Sequence, residues 1–538
     1  MNKKTLSVRK LLIMILGLLM AVQIFLGFAW MAVNLANIPL FGDSTEYYQL
    51  SQTLQVDEYR PLLYPVLIRI ADKIASHLPL EYQTLVYVGQ TLLCILSAFF
   101  LTEQVGHFLF PPKSWKKSRA FHLIMFFTGL YITCIPMITF MNFSVLTDSI
   151  AASMLMLTIG SLIRILGSPD ENKKYFLLIT LSMLVEYTIR ADRLYTCTLF
   201  LIIAFGGWLI KKRHEPLFRK YLLLTLATVL VSTGAATAIN KSTQQPGLYG
   251  RIPTTFGFVL LDRVVWPNMT QNYDDFSDEI KALVSKKDAR KFDKHNNNVM
   301  YQMAPLLREK AGNEKAEEIY KEMASVVFHN QPGKVILDIL EDITCVIFTP
   351  VSAFLSSYGL VQTADDWNLH CVSQSSPGLS TFYYNYYLHT FIILFVLSCL
   401  ILLFRFIRKA GAKRSTKNSI SHLLAPGFLL CIIIALWFSI GDGAPPNDRY
   451  ALLHYIIWTL WVLGIISPEL FYLKNLPSSH VPHPCIQSLL RFSWYMPPHI
   501  HALSDAGSFP AKDVHRYLSP SRKLLHFQVL SFPEKRCR

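Results

Sequence analysis

The chain has 538 residues, of which 52% are hydrophobic and 16% charged, with a mean hydropathy of +0.33 and a net charge of +15. Soluble domains carry about 25% charged residues. This composition therefore excludes a disordered chain, a disulfide-stapled secreted domain and an ordinary water-soluble enzyme.

The first apolar run, Leu11 to Val33, follows Lys3, Lys4, Arg9 and Lys10. It exceeds the roughly 7–15 residues of a signal-peptide core and reads as a membrane span. Its basic flank places the N-terminus in the cytoplasm. A polar loop follows, from Asn34 to Glu81. Asp43 with Glu46 three residues on resembles a capping box opening a helix, with Tyr47, Leu50 and Leu54 on one apolar face. Pro61 suits the first position of a second helix. Both helices are expected to lie on the membrane surface.

Nine more apolar runs follow: Leu85–Phe110, Phe121–Phe140, Ser149–Leu166, Tyr175–Ile189, Leu194–Ile210, Tyr221–Ile239, Leu388–Phe404, Leu423–Ile440 and Leu452–Ser467. The expected fold is all-α and polytopic, with about ten transmembrane helices. Alternation from a cytoplasmic start puts the clusters Lys113–Arg119, Lys173/Lys174, Lys211–Arg213 and Arg405–Lys417 on the cytoplasmic side. The positive charge thus reports topology, and nucleic acid is dropped as a partner. Residues 1–239 form a membrane module with about seven spans, 240–381 an extracytoplasmic helical loop, and 382–475 a second module with about three spans. Within the loop, Asp278–Lys294 and Glu314–Val327 read as helices, and Gly333–Phe354 as an amphipathic helix in the interface rather than a span. The aromatic run Phe382–Tyr387 reads as an interfacial belt. The tail, 476–538, is rich in Pro, Ser and His and is expected to be cytoplasmic and poorly ordered. Cysteines show no CxxC pair, and the tail histidines have no ligand spacing.

Ionisable groups are costly in lipid, so their positions are informative. They avoid the middles of the spans and gather at expected outer ends: Asp43 and Glu46, Asp148, the group Glu186/Arg190/Asp192/Arg193, and Asp442/Asp448/Arg449. Each has a plain structural account. Asp148 can cap the helix it opens, Glu186 and Arg190 have the i,i+4 spacing of a local ion pair, and Arg193 and Arg449 can snorkel to headgroups.

Three elements in this order carry a resemblance: Gly42-Asp43-Ser44 with Glu46-Tyr47 and then Arg60-Pro61 through Tyr64-Pro65; Thr147-Asp148-Ser149; and Asp448-Arg449-Tyr450 before the last run. They resemble the GT-C integral-membrane glycosyltransferases, in the branch of bacterial aminoarabinose transferases, lipopolysaccharide-core sugar transferases and protein mannosyltransferases. The resemblance implies a GT-C-like fold in the plasma membrane of a bacterium. It implies transfer of a sugar from a polyprenyl-phosphate donor to a lipid, glycan or protein acceptor, with inversion. Asp43 and Asp148 would be catalytic. Glu46, Arg60, Tyr64, Arg190, Arg193, Arg449 and Tyr450 would bind substrate. Some relatives hold a divalent metal, so Mg²⁺ or Mn²⁺ between Asp43 and Asp148 is a further expectation. A flippase or transporter of lipid-linked sugars, an oligosaccharide polymerase and a lipid-binding scaffold are the competing readings.

Overall fold

A computed structural model describes residues 3–35, 40, 42–56, 60–109, 119–167, 173–190, 193–243, 264–265, 268–292, 303–359, 376–410 and 452–472. The expected span at 423–440, Arg449, Tyr450 and the tail at 476–538 lie outside the described residues.

Among the described residues no β-strand occurs. The elements that position the site are α1 (Lys3–Asn34), α2 (Gly42–Thr53), α3 (Leu63–Ala75), α4 (Tyr82–Leu109), α5 (Arg119–Thr133), α6 (Pro136–Asn142), α7 (Asp148–Gly167), α8 (Lys173–Ile189), α9 (Arg193–Lys212) and α10 (Phe218–Thr243). Five described helices are long and apolar enough to cross a membrane: Ile13–Asn34, Tyr82–Phe108, Asp148–Ile165, Phe218–Thr243 and Pro377–Phe404. Their outward faces are apolar: Phe25, Leu96, Leu223 and Ile393 are each more than 60% exposed. Their inward faces carry small polar groups such as Ser149, Ser153, Thr228 and Ser232. That inversion suits a helix bundle in lipid, where small residues let helices approach and hydroxyls return their hydrogen bonds to the helix backbone. Ser153 and Thr228 do so, donating to the carbonyls of Ser149 and Leu224.

The helix α4 is the hub, packed against α5 and α7, with α8 beyond α7 and α10 beyond α8. Glycine sets two of these contacts. A Cβ on Gly129 would stand 2.8 Å from the Phe99 backbone nitrogen, and one on Gly160 2.8 Å from the Phe100 ring.

The run expected as one span at Phe121–Phe140 is bent by 74° between α5 and α6. Pro136 has no N–H to donate and holds Ile135 in extended backbone (φ −69°, ψ 127°). The Cys134 carbonyl freed by the break accepts from Gln23 Nε2 and Tyr383 Oη, each at 2.6 Å. Those donors come from α1 and from the helix Pro377–Ala410, so the break locks three helices together.

A separate core surrounds Met269, Ile280, Leu307, Tyr320 and Met323. It is built by α11 (Met269–Asn272), α12 (Asp278–Leu283), α13 (Lys286–Phe292), α14 (Ala304–Ala311) and α15 (Asn313–Asn330). Next come α16 (Pro332–Ile347) and α17 (Thr349–Ser357), followed by α18 (Pro377–Ala410) and α19 (Leu452–Tyr472). The segment read as interfacial is thus two helices. Neither is among the candidate spans, and α16 leaves Ile336, Leu337 and Leu340 exposed. The aromatic run at the start of α18 departs from a belt. Phe382 is exposed, but Tyr383, Tyr384 and Tyr387 are buried in the bundle core.

Candidate functional site

Four sequence candidates converge around the first loop. The helix α2 begins at Gly42, so Asp43 lies within the first helical turn rather than ahead of it. The carboxylates of Asp43 and Glu46, one turn apart, turn to the same guanidinium. Arg60 Nη2 is 3.0 Å from Asp43 Oδ1 and also contacts Glu46 Oε2. The capping-box pattern in the sequence therefore serves a cation instead of only a helix start. The Arg60 side chain is 5% exposed, against 35% for Asp43 and 39% for Glu46. Water thus reaches the anions and hardly the cation. The guanidinium also stacks over the Tyr47 ring at 4.7 Å, a cation–π contact strengthened by desolvation. Leu54, in the left-handed region at φ 56°, follows the last residue of α2 and ends the helix.

The helix α3 carries Tyr64 on its buried face with Ile68, Ala71 and Ala75. Its other face leaves Leu67, Ile70 and Ile74 exposed. Arg69, Asp72 and Lys73 form a polar edge between these two apolar faces, so the helix can set one apolar face on the bundle and the other toward lipid while its charges stay at the interface. Pro61 precedes this helix by two residues rather than opening it. Tyr64 packs edge-on to Tyr47, ring centroids 4.9 Å apart. Its hydroxyl donates to Gln90 Oε1 at 3.0 Å. Burial, with Tyr47, Tyr87 and Asp148 nearby, holds the Tyr64 phenol well above the ordinary tyrosine range. It is a neutral donor inside the wall of the site.

The second centre is an ion pair between helices. Asp148 opens α7, and Arg190 follows the last residue of α8. Arg190 Nη1 lies 2.5 Å from Asp148 Oδ1, the side chains being 9% and 2% exposed. The i,i+4 spacing with Glu186 had pointed to a local pair. The guanidinium reaches across to α7. Helix α9 begins at Arg193, whose side chain, with Arg449 and Tyr450, lies outside the described residues.

One cluster joins the two centres: Tyr47 and Tyr64 from the first, Val145 and Ile150 flanking Asp148, and Ile189 beside Arg190. Gln90 links them through hydrogen bonds, and composition-level reading passed over it because it sits inside an apolar run. An amide within a span was the available signal, one that Gln90 shares with Gln104 of the same helix, since lipid makes an unsatisfied amide costly.

Metal binding by Asp43 and Asp148 does not fit the donor set. Each carboxylate is engaged by its own arginine, and a divalent ion between them would have to displace both. Among the described residues no three His, Cys, Asp or Glu side chains converge as a metal site. No protein-family model, curated protein or solved structure matches the chain.

Proposed function

We propose that the chain is a multi-pass membrane glycosyltransferase with a GT-C-like arrangement of about ten spans, acting at the outer face of a bacterial plasma membrane. The observation that supports it is the pair of arginine–carboxylate centres on one buried cluster, beside a helix with one apolar face turned outward. The donor is a polyprenyl-phosphate sugar, whose tail lies in lipid. Its phosphate draws Arg60 away from Asp43 and Glu46, because a guanidinium forks onto phosphate as well as onto carboxylate. The exchange frees Asp43 to take the proton of the acceptor hydroxyl or amine. The acceptor oxygen or nitrogen then bonds the anomeric carbon opposite the departing phosphate, which inverts the centre. The phosphate leaves with the bonding electron pair, stabilised by Arg60. Glu46 holds Arg60 in the resting state. Asp148 and Arg190, both deeply buried, fix the wall instead of touching the reacting atoms. Arg193, Arg449 and Tyr450 stay candidates for the headgroup, and no step passes through a metal.

The bent helix pair α5–α6 favours a second reading, since broken helices form substrate sites in transporters. Against it, the carbonyl at this break is already held by Gln23 and Tyr383. The test uses the full chain in proteoliposomes with a polyprenyl-phosphate donor labelled in the sugar, plus extracted envelope lipid, glycan or protein as acceptor. Transfer of label with release of polyprenyl phosphate, unchanged by EDTA, is expected. An intact donor that moves between leaflets would replace this reading by the transporter.

A further inference from the structure

Gln90 is 2% exposed and lies two turns into α4. Its amide makes three hydrogen bonds, each to a different residue. Oε1 accepts from Tyr64 Oη at 3.0 Å, and Nε2 donates to the Asn142 carbonyl at 3.0 Å and the Ser144 carbonyl at 2.9 Å. Tyr64 belongs to the wall behind Arg60. Asn142 and Ser144 belong to the turn that delivers Asp148, and Asn142 is held in addition by the hydroxyl of Ser149, which donates to its Oδ1. The two carbonyls lie at the end of α6, where helical partners run out. In a segment buried from Tyr131 to Leu155 no water replaces a lost donor cheaply.

We infer that Gln90 is a positioning residue: it fastens the 142–148 turn to α3 and so sets the spacing between the Arg60 and Arg190 ion pairs. Gln suits this place because one planar amide offers an acceptor on one side and two donors on the other. Leu or Met would fill the volume and hold neither segment. Glu would keep the acceptor toward Tyr64 and set an oxygen against two carbonyl oxygens. The link to phosphate recognition rests on the glycosyl-transfer reading; the fastening itself does not.

The test compares Gln90→Met and Gln90→Glu with the unaltered full chain in nanodiscs. Hydrogen exchange is measured over residues 143–147, together with the affinity for polyprenyl phosphate. Both variants are expected to raise exchange in that segment at least about tenfold and weaken phosphate binding at least about tenfold, with exchange elsewhere in α4 and α10 unchanged. Tyr64→Phe, which removes one bond and only the volume of a hydroxyl, is the substitute if either variant fails to fold, and it should shift both readouts in the same direction. Unaltered exchange at 143–147 in Gln90→Met overturns the inference, because space-filling alone then suffices. So does raised exchange with unaltered affinity, where Arg60→Ala abolishes binding. If the unaltered chain binds no polyprenyl phosphate, the glycosyl-transfer reading fails, and the exchange result alone decides for or against Gln90.

Discussion

Replacing each acidic candidate by its amide separates a chemical role from a structural one. In Asp148→Asn the buried Arg190 loses the Asp148 carboxylate, and both side chains are under 10% exposed. Breaking one side of such a pair costs about 3–5 kcal/mol, because the remaining charge stays desolvated. The amide oxygen still accepts a hydrogen bond, so about 3 kcal/mol is expected. Asp43→Asn differs. Glu46 still contacts Arg60, and Asp43 is about a third exposed, so the cost is expected to stay within about 1 kcal/mol. Its effect falls on catalysis, since an amide cannot accept a proton as a carboxylate does. A loss of about 10²-fold or more in sugar transfer is expected. Unfolding in detergent, followed by far-UV circular dichroism, gives the stability arm, and donor turnover in proteoliposomes gives the chemical arm. Asp148→Leu with Arg190→Met should recover most of the stability that Asp148→Asn loses, since apolar replacement of a whole buried pair is often neutral. The reasoning is refuted if Asp148→Asn is as stable as the parent, or if Asp43→Asn transfers sugar at the normal rate.

Three further outcomes are expected. Arg60→Lys should keep the fold but bind polyprenyl phosphate more weakly, because Lys lacks the planar fork; normal transfer in Arg60→Ala would reduce Arg60 to a structural anchor. Gly129→Val should destabilise the bundle by about 1–3 kcal/mol, because the added carbon meets the Phe99 backbone at 2.8 Å, whereas Gly17→Ala, with nothing within 4 Å of its Cβ position, should be neutral or slightly stabilising in the same melt. Burial raises the Tyr320 phenol to about 12, with Arg308 pulling the other way; its contribution to stability is full below pH 10, where folded and unfolded chains are both neutral, and is lost as pH rises toward 12, so Tyr320→Phe should flatten the alkaline fall in melting temperature.

Of the ten runs expected as spans, five appear among the described residues as helices long and apolar enough to cross a membrane; these were legible because lipid leaves a spanning chain no alternative to satisfying its backbone within each helix. Run length then defines the element, as at α1, α4, α7, α10 and α18. The first charged centre was partly legible, since Asp43, Glu46 and Arg60 lie within 17 residues of one another. Even so, the local pattern offered a helix cap with equal force. The bend at Pro136 was not read from the run Phe121–Phe140; it comes from the missing N–H of Pro136 and the extended Ile135, and only the tertiary structure supplies Gln23 and Tyr383 for the Cys134 carbonyl. The second centre was not legible. Arg190 and Asp148 are 42 residues apart, and Glu186 offered a nearer carboxylate at helical spacing. Gln90 carries no signal in its apolar run that separates it from Gln104, and only its three partners single it out. Local sequence determines which segments become helices, because those hydrogen bonds close within a turn. Which carboxylate Arg190 meets depends on how α7 and α8 pack, since Asp148 opens one and Arg190 follows the other, and no local pattern encodes that contact.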